Sequence, residues 1–198
     1  MDDPIVLVRR RGDREADRAL LAEAAALALG ATGAGAHEGA GAHEGVVVTQ
    51  RCAHCDGTDH GQPRAPGVFL SLSRAGDLVA VAATRRGAIG IDIASLEEVA
   101  AAGFDDVAFT DEERAAIAHS ADPDAHRALL WTSKEALLKA TGDGLRTDPR
   151  LLRIGGAREL LARPASEDRL DGAVLSQLET PPGYVGTIAI LAGETPTE

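Results

Sequence analysis

The stretch Asp122-Pro-Asp-Ala-His-Arg-Ala-Leu-Leu130-Trp131-Thr-Ser-Lys134-Glu135-Ala-Leu-Leu138-Lys139-Ala140-Thr-Gly142 decides how this chain is read. Asp122 suits an N-cap, Pro123 the first helical position, and Gly142 and Gly144 the stop. The spacing therefore predicts a helix from Pro123 to about Ala140. Leu130, Trp131, Leu137 and Leu138 share one face, in pairs seven residues apart. The position between them on that face is Lys134, four residues from both Leu130 and Leu138. An amphipathic helix normally places an apolar residue there. A charge on a buried stripe costs about several kcal/mol unless it is paired or used. Glu135 and Lys139 are also four apart, and a plain helix salt bridge of about 0.2–0.5 kcal/mol would account for that pair alone.

A second carboxylate stands inside an apolar strand. Ala88-Ile-Gly90-Ile-Asp92-Ile93 follows Gly87, and alternation puts Asp92 on the face opposite Ile91 and Ile93. Such an aspartate is either a turn signal or a placed ligand. Two carboxylates on rigid elements, with lysines beside them, suit a magnesium-assisted reaction on a phosphate ester. Magnesium takes one or two carboxylates and fills its shell with water and phosphate oxygens.

The two lysines of this helix are the only lysines among 198 residues; the other 18 basic residues are arginines. Acidic residues number 31, for a net charge of −11. That balance argues against nucleic acid as the partner, since phosphate backbones need a basic face. It leaves room for phosphate-bearing small molecules, which need only local cations. No apolar run approaches the roughly 18–20 residues of a membrane span, and Met1–Arg11 lacks a signal-peptide pattern. The expectation is a cytoplasmic protein, not a membrane one, with Cys52 and Cys55 reduced.

Outward from the central helix, the chain reads as α+β with mostly antiparallel pairing. Strands are expected at Pro4–Val8, Val46–Thr49, Val68–Ser73, Leu78–Thr84, Ala88–Ile93, Gly172–Glu179 and Tyr184–Leu191. Asp13 is expected to cap a helix to Ala28, with Leu20, Leu21, Ala24, Leu27 and Ala28 as its apolar positions. Thr110-Asp-Glu-Glu113 is a capping box opening a helix toward His119. Residues 30–45 carry a GAHEG repeat at 35–39 and 41–45, expected to be a flexible loop with solvated His37 and His43. Arg51–Gly67 should be irregular. Its Cys52, His54, Cys55 and His60 hold one cysteine pair with loosely spaced histidines. A structural zinc site usually shows two ligand pairs, so the unmetallated loop is preferred.

Gly90-Ile-Asp92 together with Trp131-Thr-Ser-Lys134-Glu135-Ala-Leu-Leu-Lys139 resembles the paired motifs of the 4′-phosphopantetheinyl transferases, G-[IV]-D and W/F-[ST]-x-K-E-[AS]-x-x-K. Weaker patches agree: Cys52 to Pro63, Phe69 to Gly76, and Phe109 to Glu113. About 85 residues precede the first motif, which resembles the single-chain Sfp type. That likeness implies a pseudo-dimer of two similar α+β halves, 1–87 and 88–198, with the site in the cleft between them. It implies transfer of the phosphopantetheine arm of coenzyme A to a serine of an acyl or peptidyl carrier protein, releasing 3′,5′-ADP, by a monomer. Such enzymes serve fatty acid, polyketide and other secondary metabolism.

By the same resemblance, Asp92 and Glu135 would hold Mg²⁺, and Glu135 would take the serine proton. Lys139 would steady the leaving group, and Lys134 would contact the phosphates or hold the carboxylates apart. Ser73 and Arg74 would meet nucleotide phosphates. Three positions depart from the family pattern. A second acid is replaced by Ala94, a histidine by Arg74, and the lysine of a G-K-P element by Gln62. Arg51 or Arg64 could supply the missing cation, and the Arg9-Arg10-Arg11 cluster could reach coenzyme A. These departures motivate an alternative: a non-catalytic relative that binds coenzyme A or a carrier.

Overall fold

Ile5–Arg10 forms β1, and Arg14–Ala28 forms α1. Asp13 caps that helix by accepting from the Ala16 N–H at 2.9 Å. This computed structural model describes residues 3–30, 46–52, 55–58, 60–156, 158–193 and 196. The expected GAHEG loop and His54 lie outside the described residues. The chain continues through β2 (Thr49–Gln50), β3 (Pro63–Ala65), β4 (Val68–Ala75), β5 (Leu78–Thr84) and β6 (Ile89–Ser95). Four helices follow: α2 (Leu96–Ala101), α3 (Asp105–Ala108), α4 (Asp111–Ala118) and α5 (Pro123–Thr141). Short strands β7 (Arg153–Ile154), β8 (Leu160–Ala162) and β9 (Val174–Gln177) lead to β10 (Tyr184–Ile190).

The strands make a five-stranded sheet, β1-β5-β4-β3-β2, a three-stranded sheet, β6-β10-β9, and the β7-β8 pair. Every pairing is antiparallel. The mixed α and β composition with antiparallel sheets is thus as the sequence implied.

Strand β5 shows why the layers stack. Val79, Val81 and Ala83 pack against Leu21, Ala24 and Ala25 of α1. Leu78, Ala80 and Ala82 point the other way, against Ile89, Ile91 and Ile93 of β6 and Ile188 of β10. A strand buried on both faces has no polar side to show, so it reads as an unbroken apolar run. The alternate residues of β6 face α5. Gly90 allows that approach, because a Cβ there would lie 1.8 Å from the Ala136 carbonyl. Asp92 shares this face and is registered opposite Thr187 of β10. Thr187 is 3.0 Å from Thr132 of α5, so the two hydroxyls tie helix to sheet. The sheets also meet through serines. The Ile91 N–H donates to Ser71 Oγ at 3.0 Å across from β4.

Several expectations are adjusted. Val46 and Val48 pack on the α1 core without joining a ladder, and the strand begins only at Thr49. The segment expected to be irregular contains β3. Leu27 is largely exposed, and Ala25 and Ala26 take its place in the buried stripe. Helix α2 was not foreseen, although Ser95 caps it by accepting from the Glu98 N–H. The Thr110–Glu113 capping box forms both of its bonds. Gly142 ends α5 at φ +78°, in the left-handed region. No helix among the described residues is long and apolar enough to cross a membrane.

Candidate active site

The faces of β6 and α5 that meet at Gly90 bring Asp92 and Glu135 to one cavity of about 220 Å³. Trp131 and Phe104, with ring centroids 4.7 Å apart, form its apolar wall, and Arg74 and Glu98 reach it from the other side. Asp92 is 5% exposed. Its Oδ1 accepts from Ser73 Oγ and from Lys139 Nζ, each at 2.6 Å. Lys139 also donates to the Ile91 carbonyl at 3.2 Å. The lysine therefore turns to β6 instead of forming the plain intrahelical bridge to Glu135.

Glu135 lies one helical turn before Lys139 and is nearly buried. Burial pushes its carboxyl pKa up, Asp92 adds to the rise, and Lys139 opposes it. Two carboxylates on rigid elements, one of them desolvated and repelled by the other, suit a hard divalent cation. Such an ion would offset the repulsion between them.

Lys134 is placed elsewhere, and the expectation that it reaches phosphates is corrected. It is 0% exposed. Its Nζ donates to Glu113 Oε2 at 2.6 Å and to the Ala108 carbonyl at 2.8 Å, and sits 5.3 Å from the centre of the Phe109 ring. Glu113 also accepts from the Thr110 and Ile154 N–H groups. The ammonium thus closes a buried hub joining α3, α4, α5 and β7. Burial lowers its pKa, against the pull of Glu113. The other polar residues of the motif, Thr132 and Ser133, are likewise buried, and both hydroxyls donate to the Leu129 carbonyl.

Arg74 joins two spaces. It lines the carboxylate cavity and also a larger one of about 460 Å³, whose rim carries Arg11, Arg14, Gln50 and His60. Its guanidinium donates to Asp17 Oδ2 at 2.6 Å. Asp17 is 3% exposed, and its Oδ1 has no hydrogen bond. This acid was overlooked, yet the sequence held a signal for it. At three, four and seven residues before Leu20, Leu21 and Ala24, it interrupts the stripe of α1 as Lys134 interrupts that of α5. Arg14, which carries no motif signal, lines the same cavity as Arg11.

The remaining expected residues scatter. Gln62 donates to the Lys139 carbonyl at 3.4 Å and, with Arg64, lines a third cavity of about 250 Å³. Arg51 is exposed, pairs with Asp56 and lines neither cavity that Arg74 lines. Ala94 lines the carboxylate cavity without offering a ligand atom.

Residues 88–175 match the family model described as ACPS, 4′-phosphopantetheinyl transferase superfamily. That span holds Asp92, Lys134, Glu135 and Lys139. The chain is 38% identical over 91 residues to the uncharacterized protein YieE of Escherichia coli strain K12. It is identical to the same extent to the uncharacterized protein YieE of Escherichia coli O6:H1 strain CFT073. Each alignment takes 43% of this chain and 36% of the relative, so the chain spans about a third of the length of the curated relatives it matches. Among solved structures it is similar to holo-[acyl-carrier-protein] synthase (AcpS) from Neisseria meningitidis, at TM-score 0.46 and 24% identity, over 54% of this chain and 98% of that one.

Proposed function

We propose that this chain transfers the 4′-phosphopantetheine moiety of coenzyme A to a serine hydroxyl of an acyl or peptidyl carrier protein, with Mg²⁺, and releases 3′,5′-ADP. One observation carries the reading. Within the segment that matches the transferase superfamily, Asp92 of β6 and Glu135 of α5 face one cavity, with the Lys139 ammonium 2.6 Å from Asp92.

The residues divide the work as follows. The serine oxygen attacks the phosphorus that bears pantetheine, and the bond from that phosphorus to the 3′,5′-ADP oxygen breaks. Glu135 accepts the serine proton. Lys139 releases part of its hold on Asp92 and stabilises the charge that grows on the leaving phosphate. Ser73 holds Asp92 in place through its bond to Oδ1. Arg74, Arg11 and Arg14 bind the nucleotide phosphates along the larger cavity. Asp92 and Glu135 would hold Mg²⁺, which would supply charge neutralisation for the pyrophosphate.

The two helix-backed sheets act in this reading as the halves of a pseudo-dimer of the single-chain type, divided near 87/88, in a cytoplasmic monomer. The chain is acidic, so a carrier of acidic character would dock on a local basic or apolar patch instead of through net charge.

Incubation with coenzyme A, Mg²⁺ and a panel of apo-carriers from fatty-acid, polyketide and peptide systems tests the reading by mass spectrometry. At least one carrier should gain the phosphopantetheine mass, and Asp92→Ala or Glu135→Ala should abolish the gain. Tight coenzyme A binding with no carrier modified would instead favour a non-catalytic binding protein.

A further inference from the structure

A second cluster lies outside the carboxylate site and is unused by the transfer chemistry. Cys52, Cys55 and His60 bring their ligand atoms within 4.8 Å of one another. Cys55 Sγ and His60 Nε2 are 3.2 Å apart. Both thiols are free of disulfide. We propose that these three side chains bind a thiophilic divalent cation, zinc by the chemistry of the donor set, which fastens His60 and Gly61 at the wall of the cavity of about 460 Å³.

The backbone assembles the cluster. The Asp56 N–H donates to the Cys52 carbonyl at 2.9 Å, and the Cys52 N–H to the Gly57 carbonyl at 2.8 Å. Asp56 turns the chain at φ +61°. These two bonds bring Cys52 and Cys55 together. Gly61 then returns the chain against its own start. A Cβ there would lie 2.8 Å from the Arg51 carbonyl oxygen and 2.9 Å from the Cys52 nitrogen. The Gln50 side chain donates to the Gly61 carbonyl at 3.1 Å and holds that crossing. His60 is thereby fixed beside both thiols although five to eight residues separate them in sequence.

The geometry fits the ion. Zinc–sulfur bonds of ~2.3 Å and zinc–nitrogen bonds of ~2.0 Å place tetrahedral donors about 3.5–3.8 Å apart. The separations here, 3.2 Å for Cys55–His60 and none above 4.8 Å, are close enough that small side-chain shifts reach that arrangement. Two thiols and an imidazole are soft and borderline donors, which select zinc and exclude magnesium. The thiols give up their protons to solvent as the ion binds, so affinity falls with falling pH. Three protein ligands leave a fourth position for solvent or an incoming donor. His60 and Gly61 line the cavity that holds Arg11, Arg14 and Arg74, so fastening this loop shapes that cavity's wall. The site stands whether or not the chain transfers phosphopantetheine.

The test uses the full chain, purified under reducing conditions without chelator. About one equivalent of zinc should co-purify, and replacement by Co²⁺ should give thiolate-to-cobalt charge-transfer absorption with tetrahedral d–d bands. Cys52→Ser and Cys55→Ser should each remove the charge-transfer band or cut it roughly in half, and His60→Ala should weaken Co²⁺ binding about tenfold or more. The unmutated chain gives a second measurement if the variants fail to fold. Stoichiometric zinc should slow alkylation of both cysteines about tenfold or more, as read by peptide masses. No retained zinc together with no charge-transfer band overturns the proposal. So does a band that survives intact in both cysteine variants, or alkylation at the same rate with and without zinc.

Discussion

Two lysines five residues apart on one helix have opposite fates. Lys134 is sealed against Glu113, and Lys139 stays partly exposed beside Asp92. Replacing Lys134 with Met should cost about 3–5 kcal/mol, because it strands a buried carboxylate. Urea unfolding measures that loss, and adding Glu113→Gln to Lys134→Met should recover part of it. Lys139→Arg should instead leave unfolding nearly unchanged and lower transfer about tenfold or more. A planar guanidinium cannot reproduce a compact ammonium seated on Asp92 Oδ1 and the Ile91 carbonyl. Glu135 makes a pH prediction with a definite sign. Burial raises its pKa above the ordinary 4.5, so the folded state holds that proton more tightly than the unfolded chain. Its contribution to stability is complete below 4.5 and is lost as pH rises through the raised value. Thermal midpoints of the metal-free chain should therefore fall relative to Glu135→Gln as pH increases across that window. Added Mg²⁺ should reduce the difference, because it stabilises the ionised carboxylate.

At the scale of elements, β6 and α5 meet because Gly90 has no side chain. Gly90→Ala would drive a methyl into the Ala136 carbonyl and should destabilise the chain by about 3 kcal/mol, with transfer lost in proportion, as a denaturation series would show. Both elements were legible in the sequence. The strand announced itself by alternation, and the helix by Asp122, Pro123 and Gly142 at its ends. The anomaly at Lys134 was legible too, but its meaning was not. Helical period says that a charge sits on the core face; it does not say what comes to meet it. The partner, Glu113, belongs to a separate helix, and its capping-box role gave no hint of a second bond. Asp17 and Arg74 present the same difficulty. They stand 57 residues apart and meet only because α1 covers the sheet that contains β4. Asp92 and Glu135 were easier, since Asp92 interrupted an apolar strand and Glu135 belongs to the motif that carries the family resemblance. The short strands β7 and β8 carry too few residues to show any period.

On the scale of the whole molecule, Arg11, Arg14 and Arg74 gather on the larger cavity, which shares Arg74 with the carboxylate cavity, although the chain carries a net charge of −11. Local cations, not overall charge, would therefore draw a polyphosphate in. The double variant Arg11→Ala with Arg14→Ala should weaken coenzyme A binding about tenfold at low salt. Calorimetry should find that difference shrinking as ionic strength rises. The burial of Lys134 has a practical side as well. The chain has 18 arginines and two lysines, and one of those lysines has no surface at all. Amine-directed reagents thus meet a single side-chain target on the folded protein, Lys139. Acylation or reductive methylation of the folded chain, commonly spread over many lysines, would here fall on the one side-chain ammonium beside Asp92.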